Sequence, residues 1–118
     1  MTYNEINFKT LTDNAVVGVY LIDKNLSILY VNSAAAAMLG YLPEELMGTT
    51  SFLSLIHPEE ISLLTNNYRQ RLNGEIPSAH YTTRGLHKTG RIVNIEVFAS
   101  LLEDGGERLL VVRPSFIV

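Results

Sequence analysis

The 118-residue chain contains no cysteine and no tryptophan, and only 18% of its residues are charged. Without cysteine there can be no disulfide, no thiolate metal site, no iron–sulfur ligation and no cysteine nucleophile. Without tryptophan the best cation–π platform is missing. Positive charge is scarce: nine Lys plus Arg stand against twelve Asp plus Glu, for a formal net charge of −3. Such a balance offers phosphate no basic patch and gives no reason to expect nucleic acid as a partner. Long apolar runs are missing too. A membrane span takes roughly 20 apolar residues, whereas the longest runs here are strand-sized, such as Ala15 to Ile22, interrupted by Gly18. The start, Met1-Thr2-Tyr3-Asn4-Glu5, shows no basic stretch leading into an apolar one. No secretory signal is visible, so a cytoplasmic location without direct membrane insertion is expected.

What is present is a hydrophobic content of 47%, enough for one compact domain with its own core. No repeat or low-complexity tract divides it. Residues 1–14 read as an N-terminal helix or cap and residues 15–118 as the domain proper. Tyr3, Ile6 and Leu11 fall at rough helical spacing with Phe8 nearby. Ile6, Phe8 and Leu11 are accordingly the candidates for a homodimer contact.

Val16 to Asp23 is rich in β-branched residues, Lys24-Asn25 supplies a turn, and Leu26 to Val31 completes a hairpin. Asn32-Ser33 can cap the run Ala34 to Leu39, which Gly40 stops. Pro43 to Met47 makes a second short helix ending at Gly48. Thr49 to Ile56 reads as irregular or briefly helical. The longest helix starts at His57-Pro58, with Ile61, Leu64, Tyr68 and Leu72 on one face. Three strands follow: Ser78 to His87, Arg91 to Leu102 and Leu109 to Arg113. In the second of these, Val93, Ile95, Val97, Ala99 and Leu101 share a face opposite Asn94, Glu96 and Ser100. Two strands, a helical crossover and three strands predict an α+β fold: a five-stranded antiparallel sheet with helices on one face.

Motifs for catalysis are few. There is no Gly-x-Ser-x-Gly, no phosphate loop and no metal-ligand cluster, and His57, His80 and His87 are too scattered to form one. Asp13, Asp23, Glu96 and Glu103 have no His or Lys partner at a recognisable spacing. The chain itself is therefore not expected to be an enzyme.

Four segments together resemble a PAS domain, the sensory module of signalling proteins. They are Gly18 to Asp23 with Ile28 to Asn32, then Leu39 to Gly48, then Ile56 to Glu60, and finally Arg84 to Arg91. Leu39-Gly40-Tyr41-Leu42-Pro43-Glu44-Glu45-Leu46-Met47-Gly48 is similar to the family's Gly-Tyr-x-x-Glu-Glu-Leu-x-Gly signature. Asn32, Gly40, Glu45, Gly48, Lys88 and Gly90 are the structural positions of that resemblance. It implies that Glu45 faces Lys88. It also implies a pocket between the inner sheet face and the long helix, for which Tyr68, Tyr81, Thr83, Asn66 and Asn94 are the candidates, with core or sheet-face packing the simpler reading of each. Arg69, Arg71 and Arg84 could meet an anion, but a solvated or salt-bridged surface role is the simpler reading for each.

The family resemblance further implies a non-catalytic sensor or interaction module within a multidomain protein. A sensor histidine kinase of a two-component system is the foremost expectation, with the output domain in the same polypeptide and a homodimer as the assembly. The alternatives are a stand-alone binder of a small molecule or a ligand-free dimerisation module. Haem-binding members carry an axial His on the long helix; Ile61 to Leu72 has none, so haem is not expected. A covalent flavin adduct is excluded by the absence of Cys, and the cofactor is otherwise unknown. Two departures stand out. Leu42 occupies a helix-capping place where Ser or Thr is common. Arg113-Pro114-Ser115 stands where many members carry Asp-x-Thr.

Overall fold

The structure is a computed structural model whose described residues are 17–48, 50–72, 78–102 and 106–115, with backbone alone at 67–72 and 78–79. Two strands come first, β1 (Gly18–Ile22) and β2 (Ile28–Val31). The helical layer follows: α1 (Ser33–Met38), α2 (Pro43–Leu46), 3₁₀ turns at Phe52–Leu55 and Pro58–Glu60, and α3 (Ile61–Leu72). The chain returns through β3 (Ser78–Leu86), β4 (Ile92–Leu101) and β5 (Arg108–Pro114). All five strands join one antiparallel sheet in the order β2-β1-β5-β4-β3, the fold class expected from the sequence. The helix expected over Tyr3 to Leu11, with Ile6, Phe8 and Leu11, lies outside the described residues.

The period-2 pattern decides which face is core. Ile95, Val97 and Ala99 of β4 are buried with Leu110 and Val112 of β5, whereas Asn94, Phe98 and Ser100 are exposed. Tyr20, Ile22, Ile28 and Val31 extend the core through β1 and β2. Ala35, Ala36, Leu39, Leu46, Phe52, Leu55, Ile56 and Leu64 close it from the helical side.

Asn32 joins the two layers. Its Oδ1 accepts from the Ala35 amide at 3.0 Å, capping α1, and from the Val19 amide at 2.9 Å. Its Nδ2 donates to the Val17 carbonyl at 3.0 Å. The cap was legible in the sequence; the two bonds back to β1 were not.

Gly40 ends α1 with φ +81, and a Cβ there would lie 2.5 Å from the His87 ring. Both the left-handed backbone and the close approach exclude a side chain. Beside it the Lys88 amide donates to the Leu39 carbonyl at 2.8 Å, so the β3–β4 turn docks on the end of α1. His87 is consequently half-buried.

Several boundaries shift by a residue or two, and three of the differences have a visible physical cause. Leu26 does not open β2 but sits at φ 65, because Asp23 Oδ1 accepts from the amides of Asn25 (2.9 Å) and Ser27 (3.0 Å) and curls the turn. Pro58 starts a 3₁₀ turn rather than the long helix: His57 Nδ1 accepts from the Glu59 amide at 3.1 Å, and α3 begins at Ile61. β5 begins at Arg108, not Leu109, because Arg108 pairs with both Ile22 and Leu101.

Candidate functional site

A cavity of about 20 Å³ lies between the inner sheet face and the helical layer. Ile22, Leu26, Phe52, Leu53, Leu64, Tyr81 and Leu110 line it. Its size suits about one water molecule, so a larger occupant requires its roof to shift. That roof is made of short pieces. Ser51 Oγ accepts from the Leu53 amide at 3.2 Å and starts the Phe52–Leu55 turn. Phe52 stands edge-on to Tyr20, with ring centroids 5.3 Å apart at 74°. Leu64 enters from α3, and Leu26 from the left-handed end of the β1–β2 turn.

Three polar side chains are buried on or beside this inner face. The Tyr20 hydroxyl donates to the Ala35 carbonyl at 3.4 Å; burial, and secondarily Tyr41, push its pKa well above the usual phenol range. Thr83 is buried on β3 one inward step from Tyr81, and its Oγ1 has no hydrogen-bond partner. Arg108 is fully buried at the start of β5.

Of the five pocket candidates, the structure places Tyr81 on the cavity wall and Thr83 next to it along the same face. Asn94 and Asn66 are exposed and do not reach the cavity. Asn94 falls on the outward phase of β4, which the strand alternation already indicated. Asn66 lies two residues past the buried Leu64, a rotation of about 200° around α3. The Tyr68 side chain lies outside the described residues. Sequence reasoning missed Ile22, Leu26, Phe52 and Leu53 as cavity residues, since they carry no polar signal, and Arg108, which fell just outside the expected last strand.

Of the structural positions of the motif, Glu45 and Lys88 meet near Gly40, where the β3–β4 turn docks on the end of α1. Lys88 Nζ donates to Glu45 Oε2 at 2.7 Å and stands 5.6 Å from the Tyr41 ring centroid. Glu45 Oε1 also accepts from the Leu42 amide at 2.9 Å, the half of a capping box that needs no Ser or Thr at position 42. The pair is solvent-exposed, so a Glu45→Gln/Lys88→Met double-mutant cycle, read by urea denaturation, is expected to return only the weak coupling of a screened surface pair; a coupling typical of a buried pair would contradict this. Arg84 is held by Glu60 Oε1 at 3.0 Å and Glu59 Oε2 at 3.1 Å, which ties β3 to the 3₁₀ turn that leads into α3.

On the outer sheet face Glu96 does have partners: His80 Nε2 at 2.6 Å, and Arg113 Nε directly across from it on β5. His80 stacks on Phe98, with ring centroids 4.2 Å apart. These partners stand 16 and 17 residues away in sequence, so no recognisable spacing announced them; cross-strand register brings the three strands together.

Hydrogen bonding holds several carboxyls below the usual range: from Lys88 at Glu45, from Arg84 at Glu59, and from Arg113 and then His80 at Glu96. A depressed folded pKa stabilises above the unfolded value of about 4.3, and that stability is lost as pH falls through the folded value. Thermal melts between pH 7 and pH 3 should thus fall more steeply for the wild type than for Glu45→Gln/Glu96→Gln. Parallel curves would contradict this. Among the described residues no group of three or more His, Cys, Asp or Glu is placed to hold a metal ion. No described helix is long and apolar enough to cross a membrane.

Residues 7–113 match a family model described as the PAS fold. Among curated proteins, the C4-dicarboxylate transport sensor protein DctS of Rhodobacter capsulatus is 26% identical over 100 residues, which are 85% of this chain and 15% of that protein. This chain therefore spans only a small part of that relative. A PAS domain from a two-component sensor histidine kinase superposes with a TM-score of 0.77 at 26% identity, covering 95% of this chain and 99% of that one. A PAS domain from Colwellia psychrerythraea does so with a TM-score of 0.81 at 19% identity, covering 95% and 97%. A PAS domain of a LuxR-family transcriptional regulator from Burkholderia thailandensis, solved in complex with ethanol, gives 0.76 at 17%, covering 97% of each. The last two likenesses concern the fold alone.

Proposed function

Because this chain belongs to the PAS fold family, we propose that it is the ligand-responsive, non-catalytic sensory module of a sensor histidine kinase. Its output domain lies in the same polypeptide, and Ile6, Phe8 and Leu11 contribute to a homodimer. The kinase reading is supported by the similarity to the DctS sensor protein and to the kinase PAS domain at 26% identity each. The observation that carries ligand response is the cavity lined by the short Phe52–Leu55 turn and Leu64 on one side and by Leu110 of β5 on the other.

An occupant would push on the Phe52–Leu55 turn, on Leu64 or on Leu110. β5 is the central strand of the sheet, paired to β1 and β4. A ligand that fits one helix–sheet packing better than another shifts the balance between them, and β5 carries that shift away from the cavity.

Filling the cavity tests the reading. In the full-length parent protein, Leu64→Phe is expected to change the basal autophosphorylation rate at least about threefold, by mimicking occupancy. A folded Leu64→Phe protein with an unchanged rate would refute it. The alternative of a ligand-free interaction module is favoured by the small volume of about 20 Å³. Native mass spectrometry separates the two, since only the sensor should carry bound mass.

A further inference from the structure

We propose that the open edge of β3 is a self-pairing surface, where a second copy of this chain adds its own β3 in antiparallel register centred on His80.

The sheet runs β2-β1-β5-β4-β3, so β2 and β3 are its edge strands. Unpaired N–H and C=O groups along an edge are a template for a further strand, and folds cover or blunt them. β2 is covered. The Ile28 amide donates to the Thr50 carbonyl at 3.0 Å, and the Gly48 amide donates to the Ile28 carbonyl at 2.8 Å. The Phe52 amide donates to the Leu26 carbonyl at 2.8 Å. The far half of β3 is covered as well. The Arg84 amide donates to Glu60 Oε1 at 3.2 Å, and the His57 amide donates to the Arg84 carbonyl at 2.9 Å.

Those last two bonds fix the phase of the strand. Arg84 turns its backbone groups away from β4, and in an antiparallel ladder every second residue does the same. Thr82, His80 and Ser78 therefore present theirs to the open side. Among the described residues, none hydrogen-bonds to the backbone of His80 or Thr82 there. The stretch also lacks the features that blunt an edge. Ser78-Ala79-His80-Tyr81-Thr82 contains no Pro and no Lys, and β3 pairs with β4 from Ser78 to Leu86 without a bulge. The His80 ring leans back over the sheet, held by Glu96 Oε2 at 2.6 Å and stacked on Phe98 of β4, so it leaves the edge clear.

The ends of the open stretch select a second copy as the occupant. A two-fold axis at His80 sets His80 opposite His80 of the other copy, and Thr82 opposite Ser78. Each such pair exchanges two backbone hydrogen bonds, about six in all. The pairing stops at Thr82, so the covered Arg84 end of each strand lies beyond the start of the other at Ser78. Between Ser78 and Thr82 there is no Lys, Arg, Asp or Glu, so self-pairing sets no like charges opposite one another at neutral pH.

The test is amide hydrogen exchange on the 118-residue chain at about 0.02 mM and about 1 mM, with sedimentation velocity on the same samples. The mass is expected to rise towards a dimer, and exchange at the His80 and Thr82 amides to slow at least about threefold at the higher concentration. Thr82→Pro removes one edge N–H that β4 does not use, and should weaken association at least about tenfold. If Thr82→Pro does not fold, His80→Glu decides: it sets two carboxylates opposite each other across the axis and should weaken association as much. A chain that stays monomeric at both concentrations would overturn the proposal. So would association in which the His80 and Thr82 amides exchange as fast as in the dilute sample, or which both substitutions leave unchanged; the contact through Ile6, Phe8 and Leu11 would then be the dimer.

Discussion

Asn32→Ala is expected to lower the stability of the fold by about 3 kcal/mol, read as a drop in urea midpoint at unchanged slope. The substitution deletes the acceptor for the Ala35 and Val19 amides and the donor to the Val17 carbonyl. Asn32 has 1% exposure, so water does not readily replace what is lost. The loss of the α1 cap alone accounts for about 1 kcal/mol. The remainder comes from the two bonds to β1, which hold the crossover against the sheet. Small domains are stable by only about 5–15 kcal/mol, so such a loss would be visible in expression and melting alike. A loss below about 1 kcal/mol would mean that the link between helix and sheet is dispensable.

Gly18→Ala should destabilise by a similar amount, about 2–3 kcal/mol, for a different reason. An added Cβ would stand 2.6 Å from Val112 Cγ2 and 2.8 Å from both Cα and Cβ of Ala35. The Val112 methyl could rotate away. The Ala35 backbone could yield only if α1 moved as a unit, straining the Asn32 hydrogen bonds. The prediction is therefore non-additive. In the Asn32→Ala background, where α1 is already loosened, Gly18→Ala should cost less by at least about 0.5 kcal/mol. Thermal denaturation of the two single variants and the double variant measures this directly.

How far the sequence carried the reading differs from residue to residue. The alternation from Val93 to Leu101 predicted the buried phase of β4, because one face of a half-covered strand must be apolar. The same alternation placed Asn94 outside, in conflict with its candidacy for the pocket. The pairing of Glu45 with Lys88 came from the family resemblance, since 43 residues separate them and no local rule joins them. Gly18 looked like a mere break in an apolar run; its necessity appears only when α1 is laid across β1. Starting β5 at Leu109 removed Arg108 from consideration. Extending the phase of Leu110 and Val112 back by one step would have placed a charge on the core face. The Glu96 cluster with His80 and Arg113 was hidden because it depends on the register of three strands, two of them joined by a turn of unspecified geometry. Leu26 at positive φ had no sequence signal, as leucine is an unusual choice there.

The central claim is that an occupant of the cavity is felt along β5. It is tested most directly by titrating 1-hexanol into the 118-residue chain and mapping amide chemical shifts. The account predicts saturable shifts at Leu26, Phe52, Leu64 and Tyr81 that continue along β5 from Leu110 to Arg113. Shifts that do not saturate, or that stop at the cavity wall and leave Val111 to Arg113 unmoved, would contradict it.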